Sequence, residues 1–199
     1  MAEMERKIPK QPRATRTVDY LAEATIQLCD QPDPKFTTNH IAERAGVAVA
    51  TLYRYFPDKN VLLRFLVMRE ANNVSIRVQN IVDRSNATTA EALIEKVVTE
   101  TMTMFESRSR STHNLRVLVQ QDKGLFADVE KIRLKAARRL HERLREIEPT
   151  RFCEISDVKL KAITEAFRAA TFALERGSED NKVDIRTRTT LAIALIGST

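Results

Sequence analysis

The placement of its helix breakers constrains this chain more than any other feature. The six prolines sit at positions 9, 12, 32, 34, 57 and 149, and the four glycines at 46, 124, 177 and 197. Between Pro57 and Pro149 only Gly124 interrupts, so long helices fit there and the tight turns of a many-stranded sheet do not. Of the 199 residues, 43% are hydrophobic and 30% charged, a composition that rules out a disordered polymer and can bury a core without disulfides. Cys29 and Cys153 stand alone, with no CxxC or Cys/His spacing, so neither a zinc site nor a disulfide framework is expected. The longest apolar run, Leu191 to Ile196, falls far short of the ~18 residues of a membrane span. The first sixteen residues lack the apolar segment of a secretory signal, so a cytoplasmic protein is expected.

Helical periodicity accounts for the rest of the chain. Val18, Leu21, Ala22, Thr25, Leu28 and Cys29 form one face of a first helix over about 13–29, stopped by the Pro32 and Pro34 region. Short helices follow at about 38–45 and 48–55, with Thr37 or Thr38 as a cap and Gly46 as the turn between them. Asp58 caps a long helix to about residue 84. Thr88-Thr-Ala-Glu91 reads as a capping box for a further helix with Leu93, Ile94, Val97, Val98 and Thr101 on one face. Helices are also expected at about 112–122, 126–148, 156–176 and 182–196. The expected class is therefore all-α.

The formal charge of +6 favours a polyanionic partner. Arg6, Lys7, Lys10, Arg13 and Arg16 make the amino-terminal arm basic, and residues 107–145 hold eleven Lys and Arg against four acids. For Lys131 to Arg145 two readings stand, a solvated helix face and an anion site for an acidic effector or flanking DNA. Ile132, Ala136, Leu140, Leu144 and Ile147 form the apolar stripe that the first reading needs.

Residues Thr38 to Tyr55 meet the requirements of a helix-turn-helix. Two short helices cross closely only over a small residue, and Ala42 supplies one. The sharp turn needs a residue at ease with positive φ, here Gly46. Ile41, Ala45, Val47 and Leu52 seal the crossing. An ordinary helical hairpin shares parts of this pattern, but not all six positions in a basic chain behind a basic arm.

The segment Phe36-Thr-Thr-Asn-His-Ile-Ala-Glu-Arg-Ala-Gly-Val-Ala-Val-Ala-Thr-Leu-Tyr-Arg-Tyr-Phe-Pro-Asp-Lys59 resembles the signature of the tetracycline-repressor (TetR) family of bacterial transcriptional regulators. The run Thr51 to Phe56 followed by Lys59 is its most specific part, and the resemblance covers about residues 13–65. It implies an all-helical homodimer whose first three helices bind operator DNA, with an effector pocket and a dimer interface in the remaining helices. It also implies that Lys59 contacts a phosphate; Tyr55, like Phe56, reads as packed under the motif, with a phosphate contact as the role that the resemblance leaves open to it.

With Leu52 pointing inward, Ala50, Tyr53 and Arg54 point outward from the recognition helix, flanked by Val49 and Thr51. Val49 and Ala50 suit thymine methyls, and Arg54 suits the O6/N7 edge of guanine. The hydroxyls of Thr51 and Tyr53 suit phosphate oxygens, as does the helix start at Thr38 and Asn39. His40 is either a phosphate contact or an exposed helix histidine. His113 and His141 have no metal-ligand spacing, and no metal or other cofactor is expected.

The organisation expected is a basic arm at 1–12, a DNA-binding domain at 13–60 and an effector-binding and dimerisation domain at 61–199. Met68, Met102, Phe105 and Phe167 are the candidate effector pocket, although residues of these types, taken one by one, more often belong to a plain core. Ala162, Ala166, Ala169 and Ala173 make a small-residue stripe that, with Leu191 and Leu195, is the candidate dimer interface. The function expected is a repressor that binds a palindromic operator as a homodimer and leaves it when a small molecule binds. Alternatives are a regulator without effector or with a protein partner, and a small helical enzyme. The enzyme lacks support, since no Gly-rich phosphate loop, nucleophile elbow or HExxH motif is present.

Overall fold

The computed structural model describes residues 12–31, 36–106, 111, 114, 115, 117, 119, 121–166 and 185–196, except for the side chains at 12, 13, 102, 104–106, 185 and 186. Among these residues there are helices, turns and loops and no strand. The helices are α1 (Pro12–Cys29), α2 (Thr38–Arg44), α3 (Val49–Tyr55), α4 (Lys59–Asp83), α5 (Ala90–Glu106), α6 (Lys123–Ile147), α7 (157–166) and α8 (Ile185–Ile196). The arm at 1–11, His113, Phe167, Ala169, Ala173 and Gly177 lie outside the described residues, as do the side chains of Met102 and Phe105.

The chain folds as two compact units, and α4 and α6 each contribute to both. The first takes the described residues of Met1–Glu70 and Ser107–Phe126. Its core includes the whole expected stripe of α1, from Val18 to Cys29, all buried. Thr25 sits in that stripe because its hydroxyl donates to the Leu21 carbonyl at 2.7 Å, which removes the cost of burying it. Phe56 and Phe65 pack with ring centres 5.3 Å apart. The later segment is tied to the end of α1: the Ser111 N–H donates to Asp30 at 2.9 Å, and the Asn114 amide to the Cys29 carbonyl at 2.7 Å.

The second unit takes the described residues of Ala71–Glu106 and Ala127–Thr199. Ile81, Val82, Leu93, Ile94, Val97, Val98, Leu144, Phe152 and Ala192 form its core, and α8 packs along α5. Ser75, buried in α4, donates to the Ile132 carbonyl of α6 at 3.1 Å.

Two local expectations need correction. The cap of α5 is Thr89 rather than Thr88. Its hydroxyl accepts the Ala92 N–H at 3.3 Å, and the carboxylate that completes the helix start is Glu148, which accepts the Ala90 N–H at 2.8 Å. Glu91 therefore lies one position too early to reach back, and it pairs with Arg151 at 2.6 Å instead. That contact holds the Glu91 carboxyl below its ordinary range. Gly124, expected to separate two helices, lies inside the first turn of α6. The break falls at Asp122, whose carboxylate accepts the Leu125 N–H at 2.9 Å and pairs with Arg64.

The basic stretch Lys131 to Arg145 is largely neutralised. Lys131 pairs with Asp128, Arg133 with Glu130, Arg138 with Asp157, Arg139 with Asp83 and Arg143 with Glu146. Ile132, Ala136 and Leu144 are buried beneath it, with Leu140 and Ile147 half-buried. This is the geometry of a paired, solvated helix face. No group of residues able to hold a metal ion occurs among the described residues, and no helix among them is long and apolar enough to cross a membrane.

Candidate nucleic-acid interface

Local chemistry builds the site in order along the chain. Thr37, extended at φ −108° and ψ 170°, caps α2: its hydroxyl accepts the His40 N–H, while the Thr37 N–H donates to His40 Nδ1, both at 3.4 Å. His40 thus occupies the place that Glu or Gln takes in the usual capping box. His40 is exposed on α2, as one of its two readings has it; the capping role is additional, and the Thr-x-x-His spacing was the available signal for it.

Helix α2 ends at Ala45, and Gly46 follows at φ 67°. The Val47 N–H then donates to the Ala42 carbonyl at 3.0 Å, closing the turn. Ala42 and Ile41 on α2 and Leu52 on α3 are completely buried, and the two helices pack together. Burying Leu52 turns the opposite side of α3 to solvent. Ala50, Tyr53 and Arg54 are exposed there, with Val49, Thr51 and Tyr55 half-buried at the edges. Asn39 is exposed and Thr38 half-buried at the start of α2.

Five of the candidate side chains already have protein partners, in three contacts. The hydroxyls of Thr38 and Tyr53 lie 3.0 Å apart, linking α2 to α3 at the exposed surface. Only one of their two protons is used between them, so the other remains available to a phosphate oxygen. Arg54 donates to the Tyr55 hydroxyl at 3.0 Å, with its guanidinium 5.0 Å from the ring centre. Lys59, in the first turn of α4, donates to the Phe36 carbonyl at 3.2 Å and lies 5.1 Å from the Phe36 ring centre. An ammonium carries three donors, so two remain after that bond. Asp58 fixes the start of α4 by accepting the Val61 N–H at 2.9 Å. Arg44 reaches Gln27 at 3.3 Å, joining α2 to α1. Burial pushes the nearby Cys29 thiol up to about 11 despite the charge of Lys59, so it remains protonated and inert.

The remaining candidate residues stand as follows. Met68 is half-buried in the first unit. In the second unit, Ala162 and Ala166 are exposed on α7, whereas Leu191 and Leu195 are half-buried on α8. Val158, one turn before Ala162, is 80% exposed and extends the same α7 face.

The model of the bacterial regulatory proteins of the tetR family matches residues 22–65. In sequence, no curated protein matches the chain. In structure, a TetR-family transcriptional regulator from Streptomyces coelicolor is similar at a TM-score of 0.62 and 17% identity, over 92% of this chain and 98% of that one. The fatty acid degradation regulator FadR from Bacillus halodurans is similar at 0.64 and 16% identity, over 95% and 97%. FadR from Bacillus subtilis, solved with stearoyl-CoA, is similar at 0.62 and 17% identity, over 93% and 98%. At these identities the structural likeness carries the fold.

Proposed function

Because residues 22–65 form an amino-terminal domain of the tetR family of bacterial regulatory proteins, we propose that the protein is a transcriptional repressor that binds a palindromic operator as a homodimer and leaves it when a small effector binds. The observation that carries this reading is the face of α3. Complete burial of Leu52 turns Ala50, Tyr53 and Arg54 outward together on a seven-residue helix that a positive-φ glycine holds against α2. A helix so presented enters the major groove, where small apolar side chains meet thymine methyls and an arginine meets guanine.

In this reading Thr38, Asn39, Thr51, Tyr53, Tyr55 and Lys59 hold phosphates and set the register, while Val49, Ala50 and Arg54 read bases. To reach a guanine, Arg54 leaves Tyr55 and exchanges one hydrogen bond and a ring contact for two charge-assisted bonds. Two such helices, about one turn of DNA apart at roughly 34–36 Å, read the two halves of a palindrome. Ala162 and Ala166, with Ala169, Ala173, Leu191 and Leu195, form the dimer seam. An effector that binds better to a dimer with another spacing lowers operator affinity by that difference in binding free energy. Its pocket involves Met68, Met102, Phe105 and Phe167. The stearoyl-CoA held by the Bacillus subtilis neighbour makes a long-chain acyl-CoA the first compound to try.

The test is selection of an operator from random duplexes, followed by binding measurements on variants. Arg54→Ala should reduce the ratio of specific to non-specific affinity by about 1–3 kcal/mol. Lys59→Ala should weaken all duplexes alike and flatten the salt dependence by about one unit of slope. Failure to select any sequence refutes the regulator reading. A uniform loss for Arg54→Ala removes it from base reading, and an unchanged salt slope for Lys59→Ala leaves that residue only its bond to Phe36.

A further inference from the structure

The second unit carries a groove of about 610 Å³ between α4 and α5 whose three cations have no ion-pair partner among the described residues, although Glu100 also lines it. Arg77 comes from α4, Arg84 from the turn that directly follows it, and Lys96 from α5. All three are exposed, and among the described residues none has a salt-bridge partner. The contrast with α6 is sharp, since most cations of that helix are matched to Asp or Glu. Gathering three like charges along one groove costs electrostatic energy, and a bound anion removes that cost.

We propose that this groove binds a small organic phosphate ester with at least two negative charges. The Arg84 N–H still donates to the Asn80 carbonyl at 3.1 Å, so Arg84 continues the path of α4 and stands seven residues from Arg77, about 10 Å along the axis, close enough for both forks to engage one diphosphate group. Guanidinium forks take pairs of phosphate oxygens, and Lys96 adds a point charge from the opposite wall. Ile76 is 56% exposed within the same groove and offers an apolar platform for an organic part. Asn80 adds an amide able to donate and accept. Glu100, in the same lining, accepts from a hydroxyl or amine of the ligand and repels a phosphate chain that continues past it, which favours a small ester over a nucleic-acid strand. The groove shares no residue with the α3 face or with Met68, Met102, Phe105 and Phe167, so the inference stands without the effector reading.

Calorimetric titration of the full chain at low salt tests it, with ADP and inorganic pyrophosphate as separate probes and a random duplex as a third. ADP should bind one per chain and more tightly than pyrophosphate. Arg77→Ala combined with Arg84→Ala should weaken ADP at least about tenfold, the loss expected of one charge-assisted hydrogen bond. Lys96→Ala should weaken it as well. Lys161→Ala, at an exposed residue of α7 that does not line the groove, should leave it unchanged. The proposal is overturned if ADP does not bind, if Lys161→Ala costs as much as the groove variants, or if pyrophosphate binds as tightly as ADP. It is equally overturned if the groove variants weaken only the duplex.

Discussion

Replacing Gly46 by Ala isolates a single backbone energy at the centre of the helix-turn-helix. Gly46 sits at φ 67°, and a Cβ added there meets nothing within 4 Å, so no overlap enters. What remains is the cost of placing a residue with a Cβ in the left-handed region, about 1–2 kcal/mol. Against it stands the stiffening of the unfolded chain by Ala, about 0.4–1 kcal/mol in favour of the folded state. The net loss should be about 1 kcal/mol, or a fall in Tm of roughly 2–4 °C for a cooperative transition in a chain of this size. Gly46→Asn should lose less, because Asn tolerates this region. Urea unfolding followed by circular dichroism measures the loss, and amide exchange across α2 and α3 localises it. A local strain of this size leaves the domain folded at 25 °C, so DNA affinity should change by less than about threefold. An Ala variant as stable as Gly would show that the turn relaxes to negative φ. A loss above about 3 kcal/mol would show that the added methyl meets an obstacle after all, and Asn costing more than Ala would refute the conformational argument outright.

Two further outcomes follow from the second unit. Ala166→Arg places a charge on the exposed α7 face and should yield monomers by sedimentation with reduced operator affinity, because two half-sites can no longer be held at once; a dimer with full affinity would move the interface elsewhere. His141 is buried in α6, and burial together with Arg145 and Arg138, only partly offset by Glu142, lowers its pKa in the folded state below the ordinary 6.5. The unfolded chain therefore binds a proton that the folded one refuses, and stability should decline as pH falls through about 6.5. His141→Gln should remove that part of the decline between pH 7.5 and 5 in urea titrations, and an unchanged slope would acquit the histidine.

The features legible in the sequence are those determined within a few positions of chain. The stripe Val18 to Cys29 is buried because apolar residues at helical spacing can hide together only by facing one way, and α1 extends the expected span only by Pro12. Gly46 and the Asp58 cap were readable for the same reason, since a left-handed turn and a helix start are satisfied by a residue and its next three neighbours. Ala50, Tyr53 and Arg54 then had to share a face once Leu52 was assigned inward. What tertiary structure decided involves partners far along the chain. The start of α5 is completed by Glu148, the cations of α6 are matched by Asp83 and Asp157, and Lys59 turns to the carbonyl of Phe36. No local pattern announces such pairs. An ion pair or a cross-chain cap is stable only where folding of separate segments brings charge to charge or donor to acceptor, whereas periodicity and capping act before any such meeting takes place.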